Sequence, residues 1–297
     1  MTIAGEGRLA GRHLTILGLG YSAHAVARLA LAEGAHVSAT MRDATKAEAL
    51  RREGIDILAP AQTGALALDA MDDTTDLLVS VPPGPEGCPA YELAAPALAN
   101  AGRLGWIGYF SSTAVYGDCG GEWIDESRPP APRSPDAKAR LIAEDIWHEA
   151  ARRRGAACDI LRISGIYGPG RNHLAALRAG GLHAMDKPGQ VFNRIHRDDI
   201  AGATLTAMLS LAAGKRLINL ADGNPCSSVD LLCGLAERLD LPPPVVVPYD
   251  PAALSPGMAG FFAESRRLRN DRMLALPGFV MRYPDWRAGY RAILAGE

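Results

Sequence analysis

A short glycine motif near the N-terminus limits what this chain can fold into more than any other feature. Gly18-Leu-Gly20-Tyr-Ser-Ala23 fits the pattern G-x-G-x-x-G/A and directly follows the apolar run at 14–17. Helical spacing of apolar residues begins at Tyr21, and Gly34 ends it. In such a strand–turn–helix unit the first glycine permits a tight turn, the second lets a pyrophosphate approach the backbone, and a small third residue lets the helix pack on the strand. The sequence therefore predicts a nucleotide-binding turn.

Short apolar runs alternate with longer helical patterns through the first half of the chain. The predicted strands are 14–17, 36–40, 55–58, 76–81, 105–111 and 159–163, and the predicted helices are 21–33, 44–53, 91–101 and 137–154. The strand runs are apolar almost throughout, as in a sheet that is covered on both faces. This alternation predicts an α/β fold, a Rossmann-type doubly wound parallel sheet.

The pattern changes after residue 163, where glycine and proline mark irregular connections. A helix at 198–211, a strand at 217–221 and a last helix at 285–294 are still predicted. We predict a dinucleotide-binding domain over 10–168, to which 191–221 returns. Residues 169–190 and 222–297 then form a small C-terminal substrate lobe over the carboxyl edge of the sheet, where ligands of such sheets bind.

The turn and the strand ends supply the predicted cofactor site, for NADP or NAD. Its residues at the turn and at the end of the fourth strand are Gly18, Gly20, Tyr21, Ser22, Ala23, Ser80, Val81 and Pro82. Arg42, at the tip of the second strand, suits the 2′-phosphate of NADP, whereas the adjacent Asp43 suits the free 2′-hydroxyl of NAD. The alternative is a glycine-rich turn in a Rossmann-like fold that binds no nucleotide.

Composition and charge argue against several classes of partner. The formal net charge of −2 creates no field that attracts nucleic acid or an anionic membrane. The five cysteines form no CxxC pair, which argues against a disulfide framework or a zinc site and for a reducing compartment. The apolar stretch at 14–19 is too short to span a bilayer. We expect a cytoplasmic protein with a small-molecule substrate and without nucleic-acid, membrane or metal partners.

Five segments in combination resemble a known family. They are Gly18-Leu-Gly-Tyr-Ser-Ala23, Phe110-Ser-Ser-Thr-Ala-Val-Tyr-Gly117, Leu161-Arg-Ile-Ser-Gly-Ile-Tyr-Gly-Pro-Gly-Arg171, Ile195-His-Arg-Asp-Asp-Ile-Ala201 and Asn219-Leu-Ala-Asp-Gly223. Together they resemble the extended short-chain dehydrogenase/reductases, the NAD-dependent epimerase/dehydratase family, which includes sugar-nucleotide epimerases. The resemblance covers nearly the whole chain. It implies a homodimer formed through the two helices that flank the central sheet.

The resemblance implies catalytic residues and also shows a departure. Ser112 matches the residue that orients the reacting oxygen, and Ser111 beside it is expected to contact the cofactor. The family's Tyr-x-x-x-Lys pair is replaced here by Asp136 and Arg140, which are four residues apart and so share a helix face. Either they form an ordinary helix ion pair, or Arg140 holds the nicotinamide ribose while Asp136 or Tyr116 relays the proton. The alternative for Tyr116 is a packed structural tyrosine.

Two further residues are expected to bind substrate. Arg171 follows Gly-Pro-Gly and either grips an anionic substrate at the mouth of the cleft or lies on the surface. His196 either contacts substrate or packs and hydrogen-bonds to the backbone.

Two functions follow from these residues. The first is an NAD(P)-dependent oxidoreductase, epimerase or dehydratase that acts on a small carbonyl or sugar (nucleotide) substrate with altered catalytic residues. The second is a non-catalytic NADP-binding redox sensor. A purely structural subunit would leave the glycine turn unexplained.

Overall fold

The computed structural model describes residues 7–59, 64–85, 87–212 and 214–296. Its strands are β1 His13–Leu17, β2 His36–Thr40, β3 Ile55–Leu58, β4 Asp76–Val79, β5 Trp106–Ser112, β6 Trp123–Ile124, β7 Ala157–Ile163, β8 Gly165–Tyr167, β9 Ala184–Asp186, β10 Arg194–His196, β11 Lys215–Leu220, β12 Val246–Pro248 and β13 Arg267–Leu268. Its helices are α1 Tyr21–Ala32, α2 Ala44–Arg52, α3 Pro89–Asn100, α4 Pro135–Arg154, α5 Leu174–Ala179, α6 Arg197–Leu209, α7 Ser228–Arg238, α8 Pro256–Phe262, α9 Asp271–Leu274 and α10 Trp286–Gly296. Two 3₁₀ turns lie at Thr113–Tyr116 and Pro251–Ala253.

One seven-stranded sheet forms the centre of the molecule. Its order is β11-β7-β5-β4-β1-β2-β3, and every neighbouring pair is parallel. The predicted doubly wound α/β fold is confirmed. Because the strand order reverses at β1 and β4, a crevice opens between their carboxyl ends, which is where such sheets bind ligands.

Helices cover both faces of the sheet, as the apolar strands require. On one face α1 and α6 contribute small buried residues such as Ala27, Ala30 and Ala203, which allow the two helices to pack closely. On the other face α3 and α4 bury residues that include Ala94 and Trp147. Burial of this apolar surface stabilises the fold by roughly 25 cal/mol for each Å² removed from water. Both packed layers leave the carboxyl edge of the sheet accessible.

The C-terminal part of the chain builds a smaller layer next to that edge. α5, α7 and α10 share an apolar cluster that includes Leu177, Leu235 and Trp286. Three two-stranded parallel ribbons, β8–β10, β9–β12 and β6–β13, connect this layer with the loops that follow the central strands. β11 pairs with β7 and so lies at one edge of the main sheet.

Across the described parts of the chain, no helix combines the length and apolar character needed to cross a membrane.

Candidate functional site

The turn after β1 depends on glycine at position 18. Gly18 has a φ of +86°, a conformation that residues with a side chain rarely adopt. A Cβ at this position would lie 2.5 Å from Cγ2 of Val81, and the Gly18 N–H donates to Oγ1 of Thr40 at 2.8 Å. The close approach of β1 and the end of β4 therefore requires glycine here.

Gly20 leaves the N-terminus of α1 open. It occupies the N-cap position with extended backbone and has no side chain to cap the helix, and no other side chain in the described part of the chain accepts from the first-turn amides. A Cβ at Gly20 would meet nothing nearer than Oγ of Ser80, at 4.0 Å. The first-turn amides of α1 and its positive dipole end are thus available to an anion.

Ser22 provides an independent sign that the turn receives a ligand. It lies in the first turn of α1, is only 7% exposed, and its Oγ has no hydrogen-bond partner within the described residues. A buried hydroxyl without a partner is costly, and a phosphate oxygen would satisfy it. The residues of this turn therefore fit the pyrophosphate of a dinucleotide.

The chain remains bonded to the end of β1 immediately after β4. The Ser80 and Val81 N–H groups both donate to the Leu17 carbonyl, at 2.9 and 3.2 Å. These bonds place Ser80 and Val81 at the crevice between β1 and β4, and the exposed Pro82 follows them.

Arg42 and Asp43 have different surroundings at the end of β2. Oδ1 of Asp43 accepts hydrogen bonds from the Thr45 and Lys46 N–H groups, at 3.0 and 3.2 Å, and so caps α2. The bond from the Lys46 backbone is the main reason that the pKa of Asp43 is lowered. Arg42 is exposed. The acidic residue of this dipeptide is therefore engaged by its own helix, and the basic one faces solvent.

Ser111 and Ser112, at the end of β5, have different hydrogen-bond partners. Ser111 is buried, and its hydroxyl donates to Oε1 of Glu144 at 2.6 Å, so this hydroxyl is engaged inside the protein. Ser112 is half-buried, and its Oγ accepts from the Ala114 N–H at 3.2 Å. Of the two serines, Ser112 has the more accessible hydroxyl.

Arg140 reaches the end of β5 from α4. Its Nη1 donates to the Phe110 carbonyl at 3.2 Å. Asp136 is exposed in the first turn of α4, where a carboxylate interacts favourably with the helix dipole. Although both residues are described, they form no ion pair with each other. Of the two alternatives for this pair, the geometry favours separate positions for the two side chains.

Tyr116 lies within a buried polar network. It is 1% exposed, its hydroxyl donates to Oδ1 of Asn219 at 2.8 Å, and the Arg162 guanidinium lies 4.7 Å from its ring centre. Burial raises the pKa of Tyr116. Arg162 in turn pairs with Glu144 at 2.7 Å. This environment favours the alternative of a packed structural tyrosine.

The buried pair Glu144–Arg162 is a feature that the motif analysis missed. Both side chains are at most 2% exposed, and Glu144 also accepts from Ser111. Arg162 in the mostly apolar strand β7 was the available signal, because such a residue is buried only when it is paired; the many charges of α4 gave no comparable signal for Glu144.

Arg171 and His196 lie beside the start of α1. The Arg171 guanidinium is 5.8 Å from the ring centre of Tyr21, whose hydroxyl donates to the Pro169 carbonyl at 2.8 Å. His196 is 1% exposed, and its Nδ1 accepts from the Asp198 N–H at 3.1 Å, which caps α6. Burial lowers the pKa of His196 to about 4, so the ring is neutral at pH 7.

Among the residues that the structure describes, no group of three or more His, Cys, Asp or Glu side chains is placed to hold a metal ion.

The seven-stranded parallel sheet and its glycine turn are those of a Rossmann-type α/β protein, and comparison with known proteins identifies the family. The model of the NAD dependent epimerase/dehydratase family matches residues 97–221. Protein YeeZ of Escherichia coli K12 is 30% identical over 287 residues, which cover 92% of this chain and 97% of YeeZ. The chain belongs to the NAD-dependent epimerase/dehydratase family, as the sequence motifs predicted.

Solved structures agree with this assignment. A functionally unknown conserved protein from Silicibacter pomeroyi is 34% identical, with a TM-score of 0.88 and coverage of 96% of this chain and 99% of that one. The UDP-glucuronic acid 4-epimerase of Bacillus cereus, solved with NAD, shares the fold at 14% identity, with a TM-score of 0.72 and coverage of 96% and 99%.

Proposed function

We propose that this protein binds a nicotinamide dinucleotide at the turn between β1 and α1, and that it prefers NADP to NAD. The observation that carries the proposal is the uncapped first turn of α1, with open space over Gly20 and an unpartnered buried hydroxyl on Ser22. Arg42 would hold the 2′-phosphate of NADP, since Asp43 is engaged in capping α2. Val81 and Pro82 would line the adenosine half of the crevice.

The bound nicotinamide would supply hydride transfer, and the residues at the ends of β5 and α4 would position the reactants. Arg140 would hold the nicotinamide-ribose hydroxyls in place of the family's lysine, because its guanidinium already lies at the Phe110 carbonyl. Ser112 would orient the substrate oxygen. Asp136 is the exposed carboxylate at the start of α4 and would exchange the proton with solvent. Tyr116 is not part of this proposal because its hydroxyl is bonded to Asn219 inside the protein.

The reaction that fits this arrangement is oxidation, reduction or epimerisation of a small carbonyl or sugar substrate. The substrate would lie between the β5 edge and the C-terminal layer. A homodimer is part of the same proposal, since the family resemblance implies it, and a cytoplasmic location is part of it because the cysteine pattern favours a reducing compartment. The Bacillus cereus epimerase acts on a sugar nucleotide, and that class is the first to be assayed.

A second candidate function is that of a non-catalytic NADP sensor. Asp136 and Arg140 stand in place of the family's Tyr-x-x-x-Lys pair, and the Asp136 side chain is exposed at the start of α4, away from any buried proton relay. A sensor would bind NADP without turnover. Assays of NADPH consumption over carbonyl compounds and sugar nucleotides would separate the two functions, since turnover of any substrate contradicts the sensor.

The cofactor proposal is tested by titrating the purified protein with NADP and NAD while its melting temperature and its tryptophan fluorescence are followed. Gly20→Ala is expected to fold normally, because a Cβ there has room, but to bind at least about tenfold more weakly, because that Cβ occupies the phosphate approach. The matched control is Gly257→Ala, at an exposed position in α8 where a Cβ meets nothing within 4 Å. If saturating NADP and NAD both left the melting temperature of the unmodified protein unchanged, the proposal would be wrong.

A further inference from the structure

Two arginines from distant segments stack on the residue that opens α1. The Arg197 guanidinium lies 4.9 Å from the ring centre of Tyr21, and that of Arg171 lies 5.8 Å from the same centre. Arg197 is the first residue of α6, as Tyr21 is of α1. Two helix N-termini, each with a positive dipole end, therefore lie side by side with two guanidinium groups between them.

Gly168 is the point where these segments meet. A Cβ on Gly168 would lie 2.6 Å from the Tyr21 hydroxyl oxygen, 3.2 Å from Cβ of Arg197 and 3.6 Å from Nε2 of His196. Only glycine leaves enough space for the three side chains at this position. The cluster is thus a packed arrangement and not a chance approach of surface residues.

The same place holds buried polar groups without partners. His196 is 1% exposed, and because its Nδ1 accepts from the Asp198 N–H, the proton of the neutral ring is on Nε2. That Nε2 has no acceptor within the described residues, and neither does the Ser22 hydroxyl in the first turn of α1. Unsatisfied donors beside two helix N-termini point to an anionic ligand.

The two arginines also give this cluster a positive charge, which favours an anionic ligand. The Asp198 carboxylate accepts from Nε of Arg197 at 3.2 Å and offsets part of the charge of that arginine. The Arg171 guanidinium is exposed, and like every arginine side chain it carries a positive charge.

We propose that Arg171 and Arg197 bind the pyrophosphate of the dinucleotide together with the first-turn amides of α1. The inference rests on the proposed cofactor binding and adds two residues to it. Tyr21 would fix both guanidinium planes, since stacking on an aromatic face limits the freedom that a long side chain otherwise loses on binding. Arg171, which the sequence analysis expected to grip substrate, is thereby moved to the cofactor.

The test separates pyrophosphate binding from a merely structural contact between α1 and α6. Binding of NADP and of adenosine 2′-monophosphate, which lacks the pyrophosphate, is measured by calorimetry for the unmodified protein, Arg171→Gln and Arg197→Gln. Each substitution is expected to weaken NADP binding by about tenfold and to reduce its salt dependence, while adenosine 2′-monophosphate binds as before. Arg28→Gln, on the outer surface of α1 with a side chain that is 70% exposed, is the matched control.

Each outcome has a defined meaning. Unchanged NADP affinity in both arginine variants, with the unmodified protein binding normally, would overturn this inference and leave the cofactor proposal standing. Absence of NADP binding by the unmodified protein would overturn the cofactor proposal itself. If a glutamine variant melted at a lower temperature, Arg197→Lys would keep the charge and the packing stem, and recovery of NADP affinity in that variant would support the inference. Equal loss of NADP and adenosine 2′-monophosphate binding would show a structural role only.

Discussion

At the scale of single residues, Asp43 shows how a local hydrogen bond changes what its neighbour can do. The sequence places Arg42 and Asp43 together where the second ribose hydroxyl of a dinucleotide is read. Asp43 caps α2 by accepting hydrogen bonds from the Thr45 and Lys46 amides. The exposed Arg42 is therefore the residue at this strand end whose side chain faces solvent. Oδ1 of Asp43 accepts both capping bonds and Oδ2 lies 3.3 Å from the Lys46 ammonium, so both carboxylate oxygens already have partners on α2.

Replacement of Arg42 by glutamine is therefore expected to change cofactor preference. The affinity for NADP should fall about tenfold, because a charge-assisted bond to the 2′-phosphate is lost, and the affinity for NAD should not change. Paired NADP and NAD titrations measure the effect, with Arg51→Gln on the exposed side of α2 as the control. A parallel loss of both affinities would contradict the assignment of Arg42 to the 2′-phosphate.

At the scale of secondary-structure elements, α4 connects the candidate site to the core. Ser134 caps the N-terminus of α4. Further along the helix, Arg140 donates to the Phe110 carbonyl. One turn after Arg140, Glu144 accepts hydrogen bonds from Arg162 and Ser111. Residues four apart lie on one helix face, so a single face of α4 carries both the Arg140 and the Glu144 contacts. The position of Arg140 at β5 is thus linked to a buried ion pair below it.

Truncation of Glu144 to alanine is expected to destabilise the fold by about 3–5 kcal/mol, because it leaves the Arg162 charge buried and unpaired. Chemical denaturation measures this change. Glu149→Ala, on the same helix, removes an exposed partner of Arg152 and Arg153 and should leave the transition midpoint in place. If both variants showed the same midpoint, the buried pair would not stabilise the protein as described.

At the scale of the whole molecule, the late segments close the carboxyl edge of a sheet built mostly from the first half of the chain. β11 adds the last strand to that sheet, and Asp222 follows it at only 5% exposure. Burial raises the pKa of Asp222 to about 7, although Arg194 lies near enough to lower it somewhat. One Asp222 oxygen accepts from the Asn224 N–H, and the other has no partner within the described residues.

This carboxyl group should make the stability of the protein depend on pH. Between the ordinary aspartate pKa and about 7 the folded state holds a proton that the unfolded state has released, so the contribution of Asp222 to stability falls as pH rises through that window. Asp222→Asn is expected to raise the melting temperature by about 2–5 °C at pH 8 and by less at pH 5. Thermal melts at both pH values test it, with exposed Asp69→Asn as the control. A gain that does not depend on pH would contradict the assignment.

Features that depend on short stretches of chain could be predicted from the sequence alone. Gly18 and Gly20 with the strand before them and the helix after them predicted the turn, and the alternation of apolar runs predicted the parallel sheet, because turn geometry and hydrophobic period are local properties. The family motifs placed Ser112 and Arg140 at the same edge. The hydrogen bonds by which Asp43 caps α2 are also local, but the sequence analysis assigned this residue to the ribose hydroxyl and did not predict the cap.

Contacts between side chains that are distant along the chain become known from the folded structure. Tyr116 with Asn219, Glu144 with Arg162, and Tyr21 with Arg171 and Arg197 are pairs whose partners lie on different elements. No period or motif encodes such contacts, because they follow from how helices pack on the two faces of the sheet and not from spacing along the chain. The structure gives the Tyr116 hydroxyl a buried partner, which favours the packed tyrosine over the proton relay, and it places Arg171 beside Tyr21 at the turn after β1, where the sequence had left a substrate contact and a surface position open.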